Sequence, residues 1–103
     1  MSPDVFDAIG NPIRRDLLAL LRAGPKPVNV LAAHFDRGRP AISEHLRVLR
    51  EVGLVREEPR GRERYYHLDA APLRDVEAWL REYQTFWATK PTDLSTLLDG
   101  ETP

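Results

Sequence analysis

Arg39-Pro40-Ala41-Ile42-Ser43-Glu44-His45-Leu46-Arg47-Val48-Leu49-Arg50-Glu51-Val52-Gly53 is the stretch on which the fold turns. Proline in a first helical turn sacrifices no hydrogen bond, and glycine just past the last turn is a common stop. The stretch therefore reads as a helix from Pro40 to about Val52, with Gly53 as its C-cap. Wound at about 100° per residue, Ala41, Ile42, His45, Leu46, Val48, Leu49 and Val52 gather on one arc. Pro40, Ser43, Glu44, Arg47 and Glu51 take the other side, flanked by Arg39 and Arg50. The helix is amphipathic, and its polar face offers hydroxyl, carboxylate and guanidinium groups near its N-terminal half.

The next segment changes character. Leu54-Val55-Arg56-Glu57-Glu58, then Pro59-Arg60-Gly61-Arg62, then Glu63-Arg64-Tyr65-Tyr66-His67-Leu68 reads as strand, turn, strand, because β-prone residues flank a cluster with both proline and glycine. A period of two puts Tyr66 and Leu68 on one face of the second strand, Tyr65 and His67 on the other. The chain before Arg39 is helical, in short pieces. Asp4 to Ile9 suits a first helix closed by Gly10-Asn11; Pro12 opens a second, along which Ile13, Leu17, Leu20 and Leu21 recur until Gly24. Pro25-Lys26-Pro27 reads as a rigid connector and Val28 to Phe35 as a third helix, with Val28, Leu31 and Phe35 on one stripe and Asp36-Arg37-Gly38 as a turn. Beyond the hairpin, a long helix is expected from Pro72 to about Thr89, with Asp69 as its N-cap or in the preceding turn. Pro91 stops it, and Thr92 to Leu98 suits a short last helix.

Two short helices joined by a tight glycine-containing turn and followed by an arginine-tipped hairpin form the layout of a winged helix-turn-helix. The expected fold is mainly α with a small β-hairpin, dimerising through a long C-terminal helix. Residues 1–103 are expected to form one domain, with a DNA-binding core over 4–70, the long helix within 71–89 and the terminal helix over 92–98.

The charge is distributed to match. Residues 1–36 balance at zero, residues 37–67 carry eight arginines against five glutamates, and residues 68–103 carry three basic against seven acidic groups. The basic middle third suits a polyanion-binding face. Arg39, Pro40, Ser43, Glu44, His45 and Arg47 on the helix and Arg60, Arg62 and Arg64 on the hairpin are the candidate DNA contacts. Ser43 and Arg47 are the expected base readers, and the hairpin arginines the backbone anchors. His45, on the apolar side, doubles as a candidate packed and hydrogen-bonded histidine.

Several classes of function are unsupported. The chain has no cysteine, which removes disulfides, thiolate metal sites and cysteine nucleophiles, and His34, His45 and His67 have no ligand-like spacing. No metal or cofactor is expected. There is no phosphate-binding glycine loop and no nucleophile elbow, so catalysis is not expected either. No apolar run approaches the roughly 20 residues needed to span a bilayer, and Met1-Ser2-Pro3-Asp4 does not read as a signal peptide. The expected compartment is the cytoplasm.

Leu73, Val76, Leu80, Tyr83 and Trp87 recur at steps of three and four, and Trp79 and Phe86 widen the stripe. At about 25 cal/mol per Å² and 150–250 Å² per buried aromatic, its four large aromatics represent roughly 15–25 kcal/mol of gross transfer energy. Part of the stripe is expected to pack on the chain's own core. The remainder, joined by Phe6 of the first helix, is expected to meet a second copy across a two-fold axis.

The segments Asp7-Ala8-Ile9-Gly10-Asn11-Pro12-Ile13-Arg14-Arg15-Asp16-Leu17-Leu18-Ala19-Leu20-Leu21, Arg39 to Leu49, Gly53-Leu54-Val55 and Gly61 to Leu68 together resemble the ArsR/SmtB family of bacterial winged-helix repressors. The resemblance covers roughly residues 5–87, and the pattern from Leu73 to Trp87 is similar to a cysteine-free, SdpR-like subgroup of autorepressors. It implies a homodimer that represses transcription, with a palindromic operator in double-stranded DNA as its partner and no effector ligand specified. Metal-sensing relatives carry cysteines at the stretch corresponding to Val28-Asn29-Val30, or acid and histidine ligands along the C-terminal helix; this chain has neither. Glu44 stands where many relatives have Arg, Lys or Gln; a carboxylate there repels phosphates but can accept from cytosine N4. The alternative is a winged-helix module that binds another protein through the same face, without DNA.

Overall fold

The computed structural model describes residues 2–88. Asp4 caps α1 (Val5–Ile9) through a reciprocal box in which Asp7 N–H donates to Asp4 and Asp4 N–H to Asp7. Asn11 caps α2 (Pro12–Leu21), its side chain accepting from the N–H groups of Ile13 and Arg14 while Pro12 occupies the first turn. Both helices begin where the local chemistry placed them.

The expected connector is partly a strand. Lys26–Pro27 forms β1, which leads directly into α3 (Val28–Ala32). Its partner lies far along the chain: Lys26 pairs with Tyr66 and Pro27 with Tyr65. The sheet therefore has three antiparallel strands in the order β1-β3-β2, where the sequence suggested a two-stranded hairpin. Proline is tolerated here because β1 lies at a sheet edge. Helix α3 is also shorter than expected. Its last turn gives way at Ala33, and Phe35, outside the helix, is half-buried against the core.

Helix α4 (Arg39–Glu51) closes as Gly53 predicts. Leu54 N–H reaches back to Leu49 C=O at 3.0 Å and Gly53 N–H to Arg50 C=O at 3.0 Å, with Gly53 at φ +80°. This is the paired closure of a Schellman motif, which requires the left-handed conformation that glycine adopts without strain. It turns the chain out of the helix and into β2 (Val55–Arg60), which pairs with β3 (Glu63–Leu68). The strands stay paired up to Arg60 and Glu63, so the turn is only Gly61-Arg62, tighter than the expected Pro59–Arg62. Gly61 at φ +60°, followed by a residue with negative φ, is the sign pattern of a type II′ turn, whose twist matches that of the strands.

The core lies where these elements converge. Leu17, Leu31, Ile42, Leu46, Leu49 and Leu54 are fully buried, and Tyr66 from β3 joins them. Truncating Leu46 to alanine would cost about 2–5 kcal/mol, the usual loss for a buried leucine.

The long C-terminal helix is interrupted. It consists of α5 (Leu73–Arg81) and α6 (Gln84–Ala88), separated by Glu82 and Tyr83. Glu82 N–H bonds to Trp79 C=O and Tyr83 N–H to Leu80 C=O, three residues back, so the last turn tightens and the α-helical ladder ends. Asp69 sits in the preceding turn, accepting from Ala71 N–H, and Pro72 occupies the N-cap position. The expected helix over 92–98 lies outside the described residues. Among the described residues, no helix is long and apolar enough to cross a membrane.

Candidate nucleic-acid interface

The polar face of α4 and the arginine-bearing hairpin meet across a groove. Arg39 and Ser43 line it from α4, Arg62, Glu63 and Arg64 from the hairpin, and Pro27, Val28 and Asn29 from the start of α3. Its volume is 360 Å³. Of the residues expected from the sequence to meet DNA, the fold brings Arg39, Ser43, Arg62 and Arg64 to this one groove. The sequence did not single out Asn29, whose only signal is its place in the first turn of the helix before α4, or Arg37, in the turn leading into α4.

The arginines are not equivalent. The guanidinium groups of Arg37, Arg39 and Arg62 have no hydrogen-bond or ion-pair partner among the described residues. Arg60 pairs with Glu58 at 2.8 Å and lies 4.4 Å above the ring of Tyr65. Arg64 is held by Glu57 Oε1 at 3.0 Å. Glu57 is the most enclosed of these carboxylates. Its Oε2 also accepts from Arg50 of α4 at 3.1 Å and from the Tyr66 hydroxyl at 2.9 Å, which ties the hairpin to the last turns of α4. Burial, and then the hydrogen bond to Glu57, push the Tyr66 phenol above its ordinary pKa, so it remains a donor. Glu58 bridges Arg60 and His67, and the hydrogen bond from His67 is the main cause of its lowered pKa.

On α4, Pro40, Ser43, Glu44 and Arg47 are exposed, as the helical wheel requires. Arg47 is engaged within its own helix: Nε lies 3.1 Å from each oxygen of Glu44, Nη2 also meets Glu44, and Nη1 meets Glu51. His45 is turned away from this face. It is half-buried and its Nδ1 lies 3.2 Å from Arg14 Nη1.

The stripe read as a dimer surface divides in two. Leu73 and Val76 pack against the chain's own core, and Trp87 is half-buried. Phe6, Trp79, Leu80, Tyr83 and Phe86 are exposed, at 40%, 46%, 39%, 41% and 70%. Four of them form a continuous ribbon. Phe6 meets Trp79 edge-on with ring centroids 5.7 Å apart, Trp79 meets Tyr83 at 5.1 Å and Tyr83 meets Phe86 at 6.1 Å. Among the described residues, no group of three or more His, Cys, Asp or Glu is arranged to hold a metal.

A glycine-stopped helix with a polar outer face, preceded by a short helix and flanked by an arginine-bearing hairpin, defines a winged helix-turn-helix DNA-binding protein. Residues 9–58 match a family described as a helix-turn-helix domain. Over 80 residues the chain is 34% identical to the transcriptional repressor SdpR of Bacillus subtilis (strain 168), covering 78% of this chain and 89% of the relative. It is 35% identical over 101 residues to the HTH-type transcriptional regulator Rv2034 of Mycobacterium tuberculosis (strain ATCC 25618 / H37Rv), covering 97% and 92% respectively. The crystal structure of an ArsR family transcriptional regulator superposes with a TM-score of 0.72 at 36% identity, over 82% of this chain and 88% of that one. The chain belongs to the ArsR family of winged helix-turn-helix transcriptional regulators.

Proposed function

We propose that the protein is a homodimeric repressor that reads a palindromic operator, with α4 in the major groove and the β2–β3 hairpin against the flanking backbone. The observation that carries this reading is the groove between α4 and the hairpin. Arg39 and Arg62 stand on its two sides without a charge partner among the described residues, and the hydroxyl of Ser43 lies on its wall. Unpaired guanidinium groups on two sides of a polar helix face suit the phosphates on either side of a groove, leaving the helix to contact base edges. Under this reading Arg39, Pro40, Ser43, Glu44, Arg47, Arg60, Arg62 and Arg64 form the DNA face, and His45 supports it from behind.

The aromatic ribbon supports the dimer. Exposed rings on α1, α5, the Glu82-Tyr83 break and α6 make one contiguous apolar patch, the kind of surface that marks an interaction site. A second copy meeting the same ribbon about a two-fold axis would cover it and set two α4 helices on one side of the duplex. Repression follows the example of the SdpR relative, whose name describes a transcriptional repressor, and control of its own operon is part of the same proposal. The proposed compartment is the cytoplasm, and the reading involves no catalysis, metal or cofactor.

The test is selection of bound duplexes from a random pool, followed by titration of the selected duplex and a scrambled one with salt. A two-fold symmetric motif with steeply salt-dependent affinity is expected. Salt-insensitive capture of a protein partner, with no duplex enriched, would instead establish a protein-binding module.

A further inference from the structure

We infer that Glu44 reads base identity by accepting a hydrogen bond from the exocyclic N4 amine of a cytosine, and that Arg47 is a positioning residue that holds the carboxylate for this contact. The inference deepens the proposed function and rests on α4 entering the major groove.

Place comes first. Glu44 is the neighbour of the groove-lining Ser43 and belongs to the N-terminal half of α4, the part of a recognition helix that reaches base edges. Its side chain is 59% exposed, so the carboxylate is open to solvent on the side away from Arg47.

An unsupported glutamate at such a place swings through several rotamers and is repelled by the phosphates. Neither holds here. Arg47 Nε lies 3.1 Å from both carboxylate oxygens, and Nη2 adds a further hydrogen bond to Oε2. A planar guanidinium gripping a planar carboxylate fixes its orientation as well as offsetting its charge. The same hydrogen bond holds Glu44 below the usual carboxylate range, which keeps it ionised and therefore an acceptor only.

An acceptor-only group discriminates among the four bases. Guanine presents two acceptors in the major groove, and thymine presents an acceptor and a methyl group. Adenine's amine stands beside its N7 acceptor, which faces the second oxygen of a carboxylate unfavourably. Cytosine presents the amine alone.

Arg47 is meanwhile poorly suited to anchoring a phosphate. Each of its three nitrogens already donates, Nε and Nη2 to Glu44 and Nη1 to Glu51. The guanidinium groups at the groove that have no partner among the described residues belong to Arg39 and Arg62 instead. The division of labour is thus anchors at the rim and a held acceptor on the helix face.

Selection from a random duplex pool with the wild-type protein, Glu44→Gln, Glu44→Ala and Arg47→Ala tests this. The wild type is expected to enrich cytosine at one position of each half-site, and replacing it by thymine should weaken binding roughly 5- to 150-fold. Glu44→Gln should move the preference at that position to adenine, whose N6 and N7 suit an amide, and Glu44→Ala should flatten it. Arg47→Ala should blunt that same position and no other. A cytosine preference that survives in Glu44→Ala overturns the inference. So does an Arg47→Ala variant that loses a guanine preference elsewhere while the cytosine remains, since Arg47 would then be the reader. A wild-type protein that enriches no sequence overturns the DNA-binding proposal itself, whereas an enriched motif indifferent to Glu44 removes only the inference about this residue.

Discussion

Arg14 Nη1 donates to His45 Nδ1 at 3.2 Å, joining the helix after α1 to the helix proposed to enter DNA. Arginine has no acceptor, so Nδ1 must accept and the imidazole carries its proton on Nε2. The same guanidinium donates from Nε to Ala8 C=O at 2.7 Å and from Nη2 to Asp7 C=O at 3.1 Å, so one side chain braces the end of α1 against the inner side of α4. Protonating His45 would remove the acceptor and set one cation against another.

This arrangement makes stability depend on pH. Burial first, and then the charges of Arg14 and Arg37, hold the His45 pKa below its ordinary value of 6.5. The unfolded chain therefore binds the proton more readily than the folded one, and folding stability falls as pH drops through 6.5 toward the lower folded value. Below the folded value this contribution is flat; above 6.5 the penalty is absent. Denaturant midpoints measured for the wild type and His45→Gln across that interval should show a steeper acid-side loss in the wild type. Equal slopes would mean that His45 is not held neutral.

The aromatic ribbon predicts a dimer that a single charge disrupts. Leu80→Glu or Tyr83→Glu would place an unpaired carboxylate in the covered surface at a cost of several kcal/mol, comparable with much of the association energy. Sedimentation should show a folded monomer and DNA titration a large loss of affinity. A variant that remains dimeric at micromolar concentration would remove that face from the interface.

Opposite changes in salt dependence are expected from two hairpin variants. Arg62→Ala removes an unpaired cation and should make the slope of log affinity against log salt shallower by about 0.9 for each phosphate no longer neutralised, nearly equally on all sequences. Glu57→Gln keeps an acceptor for Tyr66 but releases Arg50 and Arg64 from a shared carboxylate, and should make binding to scrambled duplex tighter and more salt-sensitive. If Glu57→Gln instead weakens binding everywhere, the carboxylate serves mainly to hold the hairpin in place.

Metal removal should have no effect. The chain has no cysteine, and among the described residues no cluster of suitable ligands is present. Dialysis against a chelator should leave the circular dichroism and the DNA titration unchanged. Release from the operator by stoichiometric zinc would reveal a site made in some other way, such as between two copies.

Local chemistry makes much of this protein legible in its sequence. Asn11-Pro12 announces the start of α2, Gly53 the end of α4 and Gly61 the hairpin turn, because a cap, a fixed φ or a positive φ acts within a few residues. The spacing of Ile42, Leu46 and Leu49 likewise fixes which face of α4 is buried, and hence that Ser43, Glu44 and Arg47 point outward. Only the tertiary structure decided what depends on distant partners. Lys26-Pro27 becomes a strand because the fold brings it beside Tyr65 and Tyr66, and no property of two residues foretells that pairing. The break at Glu82-Tyr83 falls within an unbroken helical periodicity, which records the buried side of a segment and not where its hydrogen-bond ladder tightens. Charge pairing was equally hidden. Eight arginines and five glutamates between residues 37 and 67 admit many pairings, and only the folded chain shows that Glu57 takes Arg50 and Arg64 while Arg62, beside the groove, has no partner among the described residues.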